Sequence, residues 1–226
     1  MRVAVMQPYL WPYAGYFRLL AASDVFVVFD CVQFIRRGRI HRNEFTRVDG
    51  AGDWFTLPLA PAAQSERIDR MRFADDAALA FDARLPRFAA LASAWRACAS
   101  RHGLAAPRPG APLVDWLQEQ IAALALALGL GTRIVRSSAL AVDPGLRAQE
   151  RVLALCERLG ARHYLNVAGG RALYDEAGFA ERGMTLEFLA DYPGPKTSVI
   201  ERLFGPAAEA AETVRGEILA SLACVR

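Results

Sequence analysis

Short, unbroken apolar runs separated by polar turns set the plan of the chain. Val3-Ala4-Val5-Met6 and Val25-Phe26-Val27-Val28-Phe29 do not alternate with polar residues, which is the pattern of strands covered on both faces of a parallel sheet. Between them a Pro- and aromatic-rich loop leads into Tyr16–Ala22, which suits a helix, so the opening reads as a βαβ unit. Ile40–Val48 and Trp54–Leu59 flank Asp49-Gly50-Ala51-Gly52-Asp53 and predict a β-hairpin, with Arg67–Phe73 as a further strand. From residue 75 to about 130 Ala and Leu dominate around Trp95 and Trp116, with a break at Pro107–Pro112, predicting two or three helices. The tail alternates again. Thr132–Val135, His163–Val167 and Thr185–Leu189 read as strands; Gly145–Leu159, Arg171–Ala177, Val199–Leu203 and Ala207–Ala223 read as helices.

The pattern predicts an α/β protein: a Rossmann-like, mostly parallel sheet with a β-hairpin and an inserted or appended α-helical region. Residues 1–74 and 131–226 form the expected core, and 75–130 a helical subdomain. At 226 residues, 54% hydrophobic and 23% charged, the chain can bury a large core. Its longest apolar run, Ile121–Leu130, is half of what a membrane span needs and is expected to pack inside. Pro8 and Pro12 interrupt the N-terminal run before it resembles a signal peptide, so the chain reads as soluble and cytoplasmic. A net charge of +3 argues against nucleic acid as a partner and leaves a small molecule; no oligomeric state is implied. Cys31, Cys98, Cys156 and Cys224 are scattered, so they read as idle thiols of a reducing compartment, with no metal site.

Candidate chemistry collects after the first two strands, where open parallel sheets bind ligands. Gln7, Tyr9, Trp11, Tyr13, Gly15 and Tyr16 offer an amide, ring faces and hydroxyls, with Gly15 allowing close backbone approach to a ligand or to the next helix. Asp30, Gln33, Arg36, Arg37, His41, Arg42 and Asn43 follow the second strand, and the guanidinium groups suit phosphate or carboxylate. A solvated basic edge strand is the plain alternative. Ser137 and Ser138 end a strand, to bind a ligand or cap a turn; Asn166, Gly169 and Gly170 form either an anion cradle or a tight turn. Lys196 is the single lysine among 27 basic residues, two positions before Ser198, and lysine can release its proton where arginine cannot.

Two segments carry a resemblance. Met6-Gln7-Pro8-Tyr9, Pro12 to Phe17, Asp24, Asp30 to Gly38 and Arg42-Asn43 resemble the WbqC-like family, as do Ser137-Ser138, Leu159-Gly160-Ala161, Tyr164-Leu165, Gly169-Gly170, Tyr174 and Thr197 to Ile200. Glu201 stands where an aspartate is expected, and Asn166 where a small polar residue is. The resemblance implies bacterial surface-polysaccharide assembly of O-antigen type, as an enzyme transferring an acyl or aminoacyl group to an amino-sugar nucleotide. In that picture Arg36, Arg37 and Arg42 hold the anionic part, and Tyr9, Trp11 and Tyr13 pack against rings. Lys196 and Ser198 complete the site, and Asp30 or His41 handles a proton. A more distant similarity links Tyr13-Ala14-Gly15-Tyr16 and Lys196-Thr197-Ser198 to nucleotidylyltransferases such as pantothenate synthetase, with tyrosines in place of both signature histidines. It implies the alternatives of nucleotidylyl or adenylate transfer, or of a non-catalytic protein that binds a glycan intermediate. No cofactor is assigned; a nucleotide or activated acyl donor, and magnesium, stay open.

Overall fold

The apolar runs become a parallel sheet because alternate residues serve two different cores. The computed structural model describes residues 1–225. Its elements are β1 (Arg2–Met6), α1 (Ala14–Ala21), β2 (Val25–Val28), β3 (Arg42–Thr46), β4 (Gly52–Thr56), α2 (Ala77–Arg84), α3 (Ala89–His102) and α4 (Leu113–Ala127). They continue as β5 (Arg133–Arg136), α5 (Ala148–Leu159), β6 (His163–Val167), α6 (Glu176–Ala180), β7 (Thr185–Leu189), α7 (Val199–Phe204), α8 (Ala211–Ala220) and β8 (Cys224–Val225). The sheet order is β5-β2-β1-β6-β7-β8, parallel except for β8, and β3-β4 form a separate antiparallel hairpin. Ala4, Phe26, Val28 and Leu165 face one cluster, shared with α1, the hairpin, α3, α4 and α7. Val3, Val5, Val25, Val27 and Tyr164 face the other, under α5 and α6. A strand side-chain period of two accounts for this division. The fold is therefore α/β and Rossmann-like.

Connections leave β1 on one face through α1 and return to β6 from α5 on the other, so the sheet changes direction between β1 and β6. All five parallel strands deliver their following loops to one edge: Gln7, Phe29 to Cys31, Ser137, Ala168 and Ala190. The helices obey ordinary stop signals: α3 and α5 end on Gly103 and Gly160 in left-handed conformation. Ile121, Leu124 and Leu128 of the long apolar run are buried.

Three expectations change. Arg67–Phe73 is not a strand: Ile68–Arg70 form a single 3-10 turn between isolated bridges, Gln33 to Arg67, Leu59 to Phe73 and Arg72 to Pro112. Ile68, Met71 and Phe73 are buried at spacings of three and two, which a turn satisfies and an alternating strand does not. The helix expected at Arg171–Ala177 splits into a 3-10 helix, Ala168–Leu173, and α6, because Asp175 accepts the amides of Ala177 and Gly178 as an N-cap. The last helix ends at Ala220 rather than Ala223, and the chain then pairs with β7. Among the described residues no helix is long and apolar enough to cross a membrane. Cys31, Cys98 and Cys156 are free and buried, whereas the thiol of Cys224 lies outside the described residues.

Candidate functional site

The loop after β1 is locked to partners far along the chain. Leu10 N–H donates to Arg39 O at 3.0 Å, and the Asn43 carboxamide donates to the carbonyls of Leu10 and Trp11, both at 3.1 Å. Trp11 adopts φ 45°, the left-handed region that costs an ordinary residue about 1–2 kcal/mol. Its fully buried ring packs among Phe45, Phe55, Phe81, Trp95 and Trp116, with its indole N–H donating to Gln120 Oε1 at 3.2 Å. Its carbonyl accepts the Ser198 hydroxyl at 2.6 Å. Val199 N–H donates to Pro12 O at 2.8 Å, and Tyr13 bridges Ser198. The first loop and the start of α7 are thus stitched together across more than 180 residues of sequence.

Between these segments and the outer face of the hairpin lies an open hollow of about 620 Å³. Tyr9 and Tyr13 supply ring faces, 6.3 Å apart and edge-on. Arg39 and Lys196 bring positive charge, and Glu44 and Glu201 negative charge. Arg39 is held by the Asn43 side-chain oxygen at 2.6 Å and lies over the Tyr9 and Trp54 rings at 5.9 and 5.1 Å. Burial pushes the Tyr9 phenol pKa up, opposed by Arg39. Burial also raises the Glu201 carboxyl above its ordinary range. Glu201 forms no ion pair or side-chain hydrogen bond among the described residues, so its oxygens stay available to the hollow. A half-buried carboxyl with a raised pKa, in the same hollow as an ammonium and phenols, is a candidate for proton exchange. Gly52 lies in the wall, and a Cβ there would meet Glu44 Oε1 at 3.0 Å.

Of the residues expected from sequence, Tyr9, Tyr13, Asn43, Lys196 and Ser198 meet here. Trp11 does not: the left-handed turn sends its ring into the core. Tyr16 is also buried, its hydroxyl donating to Gln7 O at 3.0 Å, and desolvation drives its pKa far up. The close approach allowed by Gly15 is taken by the Tyr13 ring rather than by a ligand, since a Cβ on Gly15 would overlap that ring. Gln7, Gln33, Arg36 and Arg37 line a second hollow of about 590 Å³. Arg42 braces the turn between them, donating to the carbonyls of Gly38 at 3.2 Å and Arg37 at 2.6 Å, and lies over Trp54. His41 packs on Phe34, and burial, with Arg42 and Arg36 nearby, lowers its pKa to about 4.

Asp30, Ser137 and Ser138 form a separate knot at the ends of β2 and β5. The fully buried Asp30 carboxylate accepts the Ser137 hydroxyl and Ser138 N–H at 2.8 Å, and the Ser138 hydroxyl at 2.6 Å. The Ser137 hydroxyl oxygen in turn accepts the N–H groups of Asp30 at 3.0 Å and Cys31 at 3.1 Å, which fits a brace between strand ends. Asn166 is likewise occupied, donating to the Tyr164 hydroxyl at 3.1 Å and accepting Val167 N–H at 2.7 Å, while its amide packs 3.0 Å from where a Cβ on Gly170 would stand. Neither Asn166 nor Gly169 nor Gly170 reaches the first two hollows.

Arg39, Glu44, Thr46, Thr197 and Glu201 line the first hollow and were not singled out from sequence. Two signals pointed their way: Arg39 sits within the basic run, and Glu201 is the acid that departs from the expected aspartate. The model of the WbqC-like protein family matches residues 7–198. The uncharacterized protein Rv1507c of Mycobacterium tuberculosis is 26% identical, over 95% of this chain and 97% of its own length. No solved structure matches the chain.

Proposed function

The chain belongs to the WbqC-like protein family, and from that premise we propose that it transfers an acyl or aminoacyl group to the amine of an amino-sugar nucleotide in surface-polysaccharide assembly. The observation that carries this reading is the convergence of Tyr9, Tyr13, Arg39, Lys196 and Glu201 on one hollow of about 620 Å³, large enough for a sugar and its reacting neighbour. Ring faces suit a pyranose, threonine side chains suit its hydroxyls, and charges of both signs suit a zwitterionic acceptor. In this reaction the acceptor nitrogen attacks the donor carbonyl carbon. Glu201, ionised, takes the ammonium proton beforehand or the amine proton during attack. The C–N bond forms, the bond from carbonyl carbon to leaving group breaks, and the Lys196 ammonium and Tyr13 hydroxyl face the oxygen on which charge develops.

The joining of Tyr13 to Ser198 also favours a second reading, nucleotidylyl transfer, because it pairs the two segments that such enzymes use. Two features weigh against it: the Tyr13 ring covers Gly15, and the Tyr16 hydroxyl is committed to Gln7. Incubating the protein with amino-sugar nucleotides and activated acyl donors, and separately with a sugar phosphate, a nucleoside triphosphate and magnesium, and reading product masses and pyrophosphate release tests both. Acyl transfer predicts an acylated sugar nucleotide and no pyrophosphate; nucleotidylyl transfer predicts pyrophosphate. Glu201→Gln is expected to lower kcat about a hundredfold. Because burial raises the Glu201 pKa and the ionised form is the active one, wild-type activity rises with pH along a limb displaced above the ordinary carboxylate range. A product formed equally well by Glu201→Gln contradicts the assignment.

A further inference from the structure

The second hollow has a different chemistry from the first, and the mechanism above leaves it unused. It opens at the end of β1, against the segment that follows β2, on the edge where parallel sheets bind ligands. Gln7, Gln33 and Gln64 supply carboxamides, Arg36 and Arg37 supply guanidinium groups, and no carboxylate lines it. Arg36 spends one N–H on the carbonyl of Ala62. The Arg37 guanidinium forms no hydrogen bond or ion pair among the described residues, although Arg67, Arg87, Arg136, Arg182 and Arg202 all pair with carboxylates. A pair of exposed guanidinium groups among neutral amides, without a counter-charge, suits a multiply charged oxyanion.

The same two loops contribute to both hollows. The Leu10 N–H to Arg39 O bond zips the loop after β1 to the basic turn, with Gln7 on the second hollow and Tyr9 on the first. The buried Tyr16 props both, touching the Tyr9 ring edge-on at 5.9 Å and holding the Gln7 carbonyl. Arg42 fixes the turn that presents Arg36 and Arg37 on one side and Arg39 on the other.

We propose that the second hollow is a pyrophosphate subsite, in which Arg36 and Arg37 hold the diphosphate of the sugar nucleotide while its amino sugar reaches the first hollow. Its identity as part of a sugar-nucleotide site rests on the transferase reading; its preference for a diphosphate anion rests on the lining alone. His41 reports on it. It packs against Phe34, a wall of the hollow, with ring centroids 5.0 Å apart and planes inclined at 57°. The charge of Arg36 and Arg42 adds to burial in keeping its imidazole neutral.

The test is titration of the full-length protein with inorganic pyrophosphate, followed through the imidazole resonances of His41 by NMR, with inorganic sulfate as the control anion. His41→Gln assigns the resonance. Pyrophosphate is expected to shift the His41 signal saturably and to raise its pKa from about 4, because the anion offsets the guanidinium charge. Arg37→Ala and Arg36→Ala are expected to weaken that binding about tenfold each, whereas Lys196→Ala leaves it unchanged. Sulfate is expected to bind more weakly. A silent His41 at millimolar pyrophosphate, equal binding of sulfate, or a loss caused by Lys196→Ala in place of the arginine variants would overturn the proposal. Transfer activity is not the readout, so a pyrophosphate site without acyl transfer refutes the reaction and keeps the subsite, and the reverse result refutes the subsite alone.

Discussion

Trp11, Gly15 and Glu201 show how far a single residue can be read. The aromatic loop advertised ring faces, but a ring's destination depends on backbone φ, and nothing in the sequence marks Trp11 as left-handed at φ 45°. Gly15 was legible as a place of close approach; what approaches, the Tyr13 ring, was not. This gives a sharp prediction. Gly15 lies in the first turn of α1, so Gly15→Ala gains helix propensity of up to about 1 kcal/mol while forcing the Tyr13 ring aside. Thermal denaturation of Gly15→Ala should show a melting temperature equal to or above that of the wild type, with weaker sugar-nucleotide binding. Unchanged affinity would mean that Tyr13 is not part of the binding wall. Glu201 was visible only as an acid in place of another acid; what singles it out is its place in the first turn of α7, lining the same hollow as Lys196.

At the level of elements, strands and capped helices were the legible parts. Continuous apolar runs in β1 and β2 and the glycine stops of α3 and α5 depend on neighbours one to four residues away, so local sequence specifies them. The Arg67–Phe73 segment was illegible because its turn is set by single bridges to Gln33, Leu59 and Pro112, which are remote. The position of α7 is also set remotely. Arg202, nearly fully buried, donates to both Glu209 oxygens at 2.6 and 2.8 Å and to Glu217 on α8 at 2.7 Å, and Tyr192 donates to the same Glu217. This network clamps the helix that carries Glu201. Replacing Arg202 with Met strands two carboxylates and is expected to cost about 2 kcal/mol, a value reduced for solvent screening of the partly exposed glutamates. Hydrogen bonding to Arg202 holds the Glu209 and Glu217 pKa values below the ordinary range. The network therefore stabilises the fold above the ordinary carboxylate pKa and loses that contribution as pH falls through the depressed values. Urea denaturation at neutral and acid pH should show the Arg202→Met deficit at neutral pH shrinking on acidification; a pH-independent deficit would assign the loss to packing.

Across the whole molecule, the predicted α/β class and the gathering of candidate site residues after the first strands follow from one fact: a parallel sheet delivers every strand's following loop to the same edge. That fact does not say how the loops divide the edge between them. The residues grouped by sequence as one site separate into a hollow beside α7, a basic hollow beside β1, the Asp30 knot and the Asn166 turn, because Leu10–Arg39 and Tyr13–Ser198 pairings partition the rim. The hollow beside α7 is the centre of the account. Its most direct test is calorimetric titration of a panel of amino-sugar nucleotides into the wild type and into Arg39→Ala and Lys196→Ala. Binding of at least one panel member, weakened about tenfold or more by each substitution with melting temperatures preserved, is the predicted result. Failure of the whole panel to bind, or binding indifferent to both substitutions, would contradict it.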